Sequence, residues 1–315
     1  MITFLIVIIL VVIVLPIWLL IRMLRLSGRA LHWLRTRPKF PSHRSQQAWE
    51  EPDPKLVSRV AKIFSIITDR HGWNGWQVVG RDASYQYSLL DIHSDCSDLR
   101  SLSNQGLLRG EPGLGLEEAS EFDERQIRAG EKGETILARA ILGEHPPFLS
   151  WWSLYGFDEY GRLTVSDIDC VLLGMRPNGR MVAWFIDAKC YKGGADTVYA
   201  QLGEWHLVRV SRIRRAFVAD STGKPWLTMS PNMWEQRERW APLLKQYGIE
   251  SYWMVCVTPP GDYGTPDMSA VTWPGGIATT DIPTLRTMVY SQCSPGMLAY
   301  IPPAVIALFD NHLKR

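Results

Sequence analysis

The residues best suited to chemistry in this chain are Glu134, Asp169, Asp187 and Lys189. Asp169 lies in an apolar run typical of a β-strand, and Asp187 and Lys189 end the next such run, two residues apart. Side chains at that spacing in a strand project from one face of a sheet, so Asp187 and Lys189 are expected to be neighbours. Carboxylates are ligands that Mg²⁺ prefers, and a nearby lysine can orient water and balance negative charge. The pattern predicts a metal-dependent hydrolytic site.

A hairpin turn is predicted between these two strands. Pro177, Asn178 and Gly179 separate them, and an Asn-Gly pair favours the turns that join antiparallel strands. Asp169 and Asp187 each lie about nine residues from the turn, so pairing of the strands would bring the two carboxylates together. They are expected to share one Mg²⁺ ion, with Mn²⁺ as the second candidate.

A purely structural explanation competes with this hypothesis. Single acids and lysines are mostly solvated, so Asp187 and Lys189 would then form an exposed cross-strand pair. Asp187, however, follows the run Val-Ala-Trp-Phe-Ile. A charge at the end of so apolar a run needs a compensating ligand or partner, which favours the metal-site hypothesis.

The elements around these residues predict an α/β fold. The predicted helices cover 55–68, 117–142 (with a start near Gly133 as an alternative), 232–247, 282–291 and 303–313. The predicted strands cover 148–155, 167–175, 181–190 and 250–257. The order in the centre of the chain is therefore helix, three strands, an insert, helix, strand.

Short motifs in this order resemble the nuclease-related domain (NERD) family, a branch of the PD-(D/E)xK nuclease superfamily. They are Gly130-Glu-Lys-Gly-Glu134, Asp167-Ile-Asp169 and Phe185-Ile-Asp-Ala-Lys189. Ser230-Pro-Asn-Met-Trp-Glu-Gln236 also resembles the Asn-Pro-x-x-Gln segment of that family, with Pro and Asn transposed. The resemblance spans residues 126–258, under half of the chain. It implies a restriction-endonuclease-like αβββαβ core with a mixed central sheet.

The resemblance also implies Mg²⁺-dependent hydrolysis of nucleic-acid phosphodiester bonds, with DNA as the favoured substrate. The residues it assigns are the helix-borne acid Glu134, the metal ligands Asp169 and Asp187, the catalytic lysine Lys189, and Gln236 as a substrate or site-supporting contact. Members of the family often carry histidine directly after the central aspartate, where this chain has Cys170. Because fold does not guarantee chemistry, a catalytically inactive, membrane-tethered nucleic-acid-binding or scaffold module is the alternative.

The overall charge excludes a strongly basic nucleic-acid binder. The chain has 34 basic and 32 acidic residues, but seven of the basic ones lie between Arg22 and Arg44, so the remainder has a net charge of −5. Such a body cannot neutralise many phosphates, and any contact with nucleic acid must be local. Arginine can fork onto phosphate, and the candidate contacts are Arg209, Arg212, Arg214 and Arg215 in the insert. A solvated face is the alternative.

The N-terminal segment, residues 1–21, predicts a membrane anchor. It carries no charge and is long enough to cross a bilayer as a helix. Nothing basic precedes it and no suitable cleavage site follows, which favours an uncleaved anchor over a signal peptide. The basic residues after it, with no acid before Glu50, predict an outside N-terminus and a cytoplasmic body.

Five parts are predicted along the chain. They are a transmembrane helix (1–21), a basic juxtamembrane segment and linker (22–54), an accessory region (55–118), a NERD-like nuclease core (119–258) and a C-terminal region (259–315). The five cysteines lack metal-ligand spacing, and three of them fall in apolar runs. This pattern indicates reduced thiols in a cytoplasmic body, with neither a disulfide framework nor a zinc site.

Overall fold

The computed structural model describes residues 51–66, 76–79, 96–114, 124–143, 145–158, 160–219, 223–259 and 264–314, without the side chains of 96–98, 124–126 and 165–167. The predicted membrane helix (1–21) and most of the predicted linker therefore lie outside the described residues. In the part of the chain that is described, no helix is both long and apolar enough to span a bilayer.

The described residues form six α-helices and eleven strands. The helices are α1 (Pro54–Ile63), α2 (Cys96–Asn104), α3 (Glu124–Leu142), α4 (Asn232–Gln246), α5 (Ile282–Gln292) and α6 (Pro303–Asp310). The strands are β1 (Val78–Val79), β2 (Leu108–Gly110), β3 (Phe148–Phe157), β4 (Leu163–Met175), β5 (Met181–Lys189), β6 (Thr197–Leu202), β7 (His206–Ser211), β8 (Ala216–Val218), β9 (Trp226–Thr228), β10 (Glu250–Val257) and β11 (Ala278–Asp281).

A six-stranded mixed sheet forms the centre of the fold, in the order β11-β10-β5-β4-β3-β2. The β3–β4 and β4–β5 pairs are antiparallel, whereas β5–β10, β10–β11 and β2–β3 are parallel. The prediction of an α/β fold with a mixed sheet is therefore confirmed. The order α3, β3, β4, β5, insert, α4, β10 is also the predicted order of elements.

Helices cover both faces of this sheet. Leu137 and Ile141 of α3 and Leu285 and Val289 of α5 share one buried cluster with one face. Trp240 and Leu244 of α4 and Val305 and Phe309 of α6 share a second cluster with the other face. The result is a helix–sheet–helix arrangement of three layers, in which every central strand is buried on both sides.

The turn between β4 and β5 forms where it was predicted. Arg176 N donates to Arg180 O at 2.9 Å, and Gly179 has a φ of 78°. Glycine adopts this left-handed conformation without a steric cost. The turn sets the antiparallel register that runs from Met175–Met181 to Cys170–Ile186.

Helix α3 continues through Gly133. The alternative prediction, a helix that begins near Gly133, is therefore wrong. A Cβ atom on Gly133 would lie 2.9 Å from both Cys190 Cβ and Thr258 Oγ1. The missing side chain therefore lets the helix approach the ends of β5 and β10 closely. Packing of this kind outweighs the low helix propensity of a single glycine.

The insert between β5 and α4 supplies four strands of a second sheet, and none of these four was predicted. Strands β1, β8, β7 and β6 lie in that order, and β9 pairs with β7. Helix α1 packs on this sheet through Val57 and Val60. The predicted accessory region 55–118 is thus divided between the two sheets. Helix α1 packs on the second sheet and β1 pairs within it, whereas β2 pairs within the central sheet.

The C-terminal residues pair with β3 on the same edge as β2, just past the end of β2. Tyr155 N donates to His312 O at 2.8 Å, and Lys314 N donates to Ser153 O at 2.9 Å. Leu313 forms an isolated antiparallel bridge with Leu154. The chain end thus contacts β3 at Ser153, next to the candidate site residues described below.

Candidate functional site

Asp169 and Asp187 lie side by side at one end of the central sheet. The regular β4–β5 ladder ends at the pair Cys170–Ile186, and the two aspartates are the next residues on their strands. Ala188 N donates to Asp169 Oδ2 at 2.7 Å, so this carboxylate accepts a hydrogen bond from the neighbouring strand's backbone. The residues are 8% and 7% exposed. The structure therefore brings together two nearly buried carboxylates, as the hairpin predicted.

Lys189 belongs to the same group. Its Nζ donates to Asp187 Oδ1 at 2.6 Å, and its side chain is 32% exposed. Burial lowers the pKa of Lys189, but the negative charges of Asp187 and Asp169 outweigh burial and raise the pKa above its ordinary value. Lys189 is therefore an ammonium ion that partly compensates two adjacent carboxylates.

In strands β3 and β4 the side chains switch from one face of the sheet to the other at the level of Asp169. The registered pairs Trp152–Cys170 and Leu154–Ile168 flank Ser153 and Asp169. Trp152 and Cys170 belong to the cluster containing α3, whereas Leu154 and Ile168 belong to the cluster containing α4. Residues two apart in a regular strand share a face, so the alternation breaks at Ser153 and Asp169.

The backbone of Ser153 accounts for this break on β3. Its φ is 56°, a conformation uncommon outside glycine. The Ser153 hydroxyl donates to Glu111 O at 2.8 Å, which ties the irregular position to the segment after β2. Strain of this kind persists only where surrounding contacts hold it, and it clusters at functional sites.

Glu134 is buried on α3, near Cys170. Its Oε2 accepts a hydrogen bond from Gly113 N at 2.8 Å. Burial raises the pKa of the Cys170 thiol well above its ordinary value, and the charges of Asp169 and then Glu134 raise it further. The two acids therefore both act on Cys170, although they come from different elements.

Three residues that sequence reasoning did not single out lie near Glu134. Lys132 and Thr258 are buried, and Thr258 lies beside Gly133 of α3. Burial raises the pKa of the Cys190 thiol, while the adjacent Thr258 hydroxyl and the Lys132 ammonium partly offset that rise. Nothing in the local sequence distinguishes a buried Lys132 from a solvated one.

Among the described residues, no group of three or more His, Cys, Asp or Glu side chains is placed to hold a metal ion. No protein-family model, curated protein or solved structure matches the chain significantly. Function is consequently inferred from the geometry of this site and from the short motifs in the sequence.

Gln236 holds the end of β3. Its Oε1 accepts from Phe157 N at 2.8 Å, and its Nε2 donates to Phe157 O at 3.1 Å. Arg239 Nη1 also donates to Phe157 O, at 2.7 Å. Gln236 is fully buried. These contacts assign it a supporting role and leave it no direct access to a substrate.

The four arginines of the insert fall into two environments. Arg209 is buried in β7 and its Nη2 donates to Ala219 O at 2.7 Å. Arg212, Arg214 and Arg215 are exposed in the β7–β8 turn, where Arg212 also forms an ion pair with Asp267. The turn can contact a polyanion in solution, whereas Arg209 stabilises the sheet.

Packed residues link the segment after Lys189 to the strand that precedes the arginine turn. Tyr191, two residues after Lys189, packs on Tyr199 of β6 with ring centroids 5.1 Å apart. Thr197, at the start of β6, pairs with Ser211 directly before the turn. The chain thus passes from Lys189 to the arginine turn within one contiguous packed region.

Proposed function

We propose that the protein is a membrane-anchored nuclease that hydrolyses nucleic-acid phosphodiester bonds, with DNA favoured, using Mg²⁺ or alternatively Mn²⁺. The observation that carries the proposal is the adjacency of Asp169 and Asp187 with Lys189 bonded to Asp187. The order of elements around them supports a restriction-endonuclease-like αβββαβ core. The anchor is residues 1–21, and the site faces the cytoplasm.

The two aspartates fit a divalent cation by their chemistry. Both are nearly buried and adjacent, and carboxylate oxygen is the donor that Mg²⁺ and Mn²⁺ prefer. A site with only two protein carboxylates suits Mg²⁺, which keeps several of its waters. Asp169 and Asp187 would hold the ion, which when bound withdraws charge from the phosphoryl group and lowers the pKa of coordinated water.

Lys189 and Glu134 supply the remaining functions. The ammonium of Lys189 is fixed by Asp187, so it can orient the attacking water and stabilise negative charge that develops on the phosphate. Glu134 fixes the segment after β2 by accepting from Gly113 N, and in this role it positions the wall of the site. The exposed arginine turn would bind the phosphate backbone.

A second candidate is a catalytically inactive binding or scaffold module with the same anchor. It is favoured by the internal engagement of both carboxylates, since Ala188 N bonds Asp169 and Lys189 Nζ bonds Asp187. These bonds compensate the negative charges of the two carboxylates without any metal. Calorimetric titration separates the two functions, because the module binds neither Mg²⁺ nor Mn²⁺ at Asp169 and Asp187.

The proposal is tested by incubating the full-length protein in detergent with labelled DNA and RNA, in Mg²⁺, Mn²⁺ or EDTA. We expect cleavage that EDTA abolishes and that falls at least about 100-fold in Asp187→Ala and in Lys189→Ala. Lys245→Ala, an exposed lysine of α4, is the matched control and should retain activity. Wild-type protein that binds no metal and cleaves neither polymer would reject the nuclease in favour of the module.

A further inference from the structure

The β3–β4 hairpin projects past the carboxylates. Strand β3 continues from Ser153 to Phe157, and β4 begins at Leu163, six residues before Asp169. At the usual rise of a strand, the tip of this hairpin lies roughly 15–20 Å beyond Asp169 along the strand direction. The hairpin thus extends beyond the sheet end at which a substrate would meet the carboxylates.

Asp158 bonds the described residues on the far side of the turn. Its Oδ1 accepts from Tyr160 N and Arg162 N, both at 2.8 Å, and its Oδ2 accepts from Arg162 Nε at 2.6 Å. Asp158 N also donates to Arg162 O at 2.8 Å. Gly161 takes a φ of 74°, with open space where a side chain would be. These bonds fix the backbone of Tyr160 and Arg162 relative to Asp158.

This turn presents an aromatic ring and a cation to solvent. Tyr160 is 54% exposed, and the Arg162 guanidinium carbon lies 5.0 Å from the centroid of its ring. The base of the hairpin is fixed to α4, because Gln236 and Arg239 both bond the backbone of Phe157. A fixed aromatic surface loses little conformational entropy when a flat ligand stacks on it.

We propose that Tyr160 and Arg162 form a stacking platform for an unpaired base, so that the substrate of the proposed nuclease is single-stranded or has a single-stranded end. The inference rests on the proposed function, whose carboxylates would contact the same strand a few nucleotides away. Inside a duplex both faces of each base are covered by its neighbours, so away from duplex ends a ring at a hairpin tip can stack only on an unpaired base. The net charge of −5 outside the N-terminal basic segment also favours stacking over extensive phosphate neutralisation.

The test measures binding of the full-length protein in EDTA, where cleavage is off, by fluorescence anisotropy with a labelled single strand and with its duplex. Stacking contributes about 1–3 kcal/mol per base, so Tyr160→Ala should weaken single-strand binding about 5- to 150-fold. Duplex affinity should stay unchanged, and Tyr160→Phe should retain single-strand affinity. Tyr300→Ala is the matched control, since Tyr300 is also exposed (68%) and lies outside the hairpin.

The outcomes separate this inference from the proposed function. Metal-dependent cleavage with single-strand affinity unchanged in Tyr160→Ala overturns the platform alone, as does an equal loss for single strand and duplex. Tyr160-dependent single-strand binding without any cleavage in Mg²⁺ or Mn²⁺ retains the platform and rejects catalysis. If the wild-type protein binds neither polymer in EDTA, the platform fails, and the cleavage assay in Mg²⁺ or Mn²⁺ alone decides the nuclease.

Discussion

Ser153 lies across the β3–β4 ladder from Asp169, and both strands change face at this pair. The positive φ of Ser153 (56°) is the local cause on β3. One residue thereby sets the course of the strand that lies beside a candidate metal ligand. The strain at Ser153 and the hydrogen bond from its hydroxyl can be separated by substitution.

Ser153→Ala and Ser153→Gly both remove the bond to Glu111 O, which costs about 1 kcal/mol of unfolding free energy. Only glycine also relieves the left-handed strain, which is about 1–2 kcal/mol. We expect the glycine variant to be the more stable of the two in urea unfolding. Ser291, in α5, should show the reverse order, because glycine costs about 1 kcal/mol relative to alanine in a helix. The same order at both positions would contradict the assignment of strain.

Gly133→Ala should destabilise the fold although alanine is the better helix former. The new Cβ would meet Cys190 Cβ and Thr258 Oγ1 at 2.9 Å, so α3 must move away from the sheet. Overpacking of this kind costs about 1–3 kcal/mol, measured as a fall in unfolding free energy. Gly296→Ala is the control, since no atom lies within 4 Å of its added Cβ. Equal stability of the two variants would show that α3 does not depend on this close approach.

Gln236→Leu tests whether the glutamine acts through the fold. The change removes both bonds to Phe157 and leaves its buried backbone N–H without that acceptor. We expect a loss of about 2–4 kcal/mol in unfolding free energy. Gln246→Leu on the same helix replaces an exposed glutamine and should be nearly neutral. A stable Gln236→Leu protein with weakened nucleic-acid binding would instead indicate direct substrate contact.

Acid should weaken the C-terminal contact at His312. Burial lowers the pKa of His312 below its ordinary 6.5, although the bond with Leu308 O partly opposes this shift. The unfolded chain then binds more protons between the two pKa values, so this stability is complete above pH 6.5 and is lost as pH falls towards the folded pKa. The stability difference between wild type and His312→Gln should shrink below pH 6.5 in urea unfolding. A difference that is constant with pH would refute this linkage.

Substitution of the insert arginines should affect nucleic-acid binding at some positions and stability at another. Arg214→Ala and Arg215→Ala should each reduce the slope of log affinity against log salt by about 0.7–0.9 if each contacts one phosphate. Their unfolding free energies should change little, because both are exposed. Arg209→Ala should instead lower stability, since it deletes a buried bond to Ala219 O. An unchanged salt slope in both turn variants would remove the turn from the binding surface.

Local sequence patterns predicted the central fold well. Strand β10 (Glu250–Val257) occupies the predicted range, because a continuous apolar run after a helix has few alternatives. The adjacency of Asp169 and Asp187 followed from a turn at Gly179 and from the two-residue period of strands. These inferences use information that lies within a few residues of each element.

The remaining features depend on distant partners. Gln236 contacts Phe157, which lies 79 residues away in the chain, and no local pattern specifies that pair. The four insert arginines are close in sequence, yet Arg209 is buried in a strand while Arg214 and Arg215 lie in a turn. The second-sheet strands of the insert are short, and their apolar partners in α1 stand before α3 and the β3–β5 strands in the chain.

The parallel pairing of β5 with β10 has a consequence for synthesis of the chain. The hairpin β4–β5, which carries both carboxylates, is complete once Lys189 has left the ribosome, whereas β10 follows only after the second sheet and α4. Pairs that are distant in sequence form slowly, because loop closure must precede their contacts. We expect the nascent protein to expose the edge of β5 during this interval. Such an open, apolar edge is a site at which chaperones bind and aggregation begins.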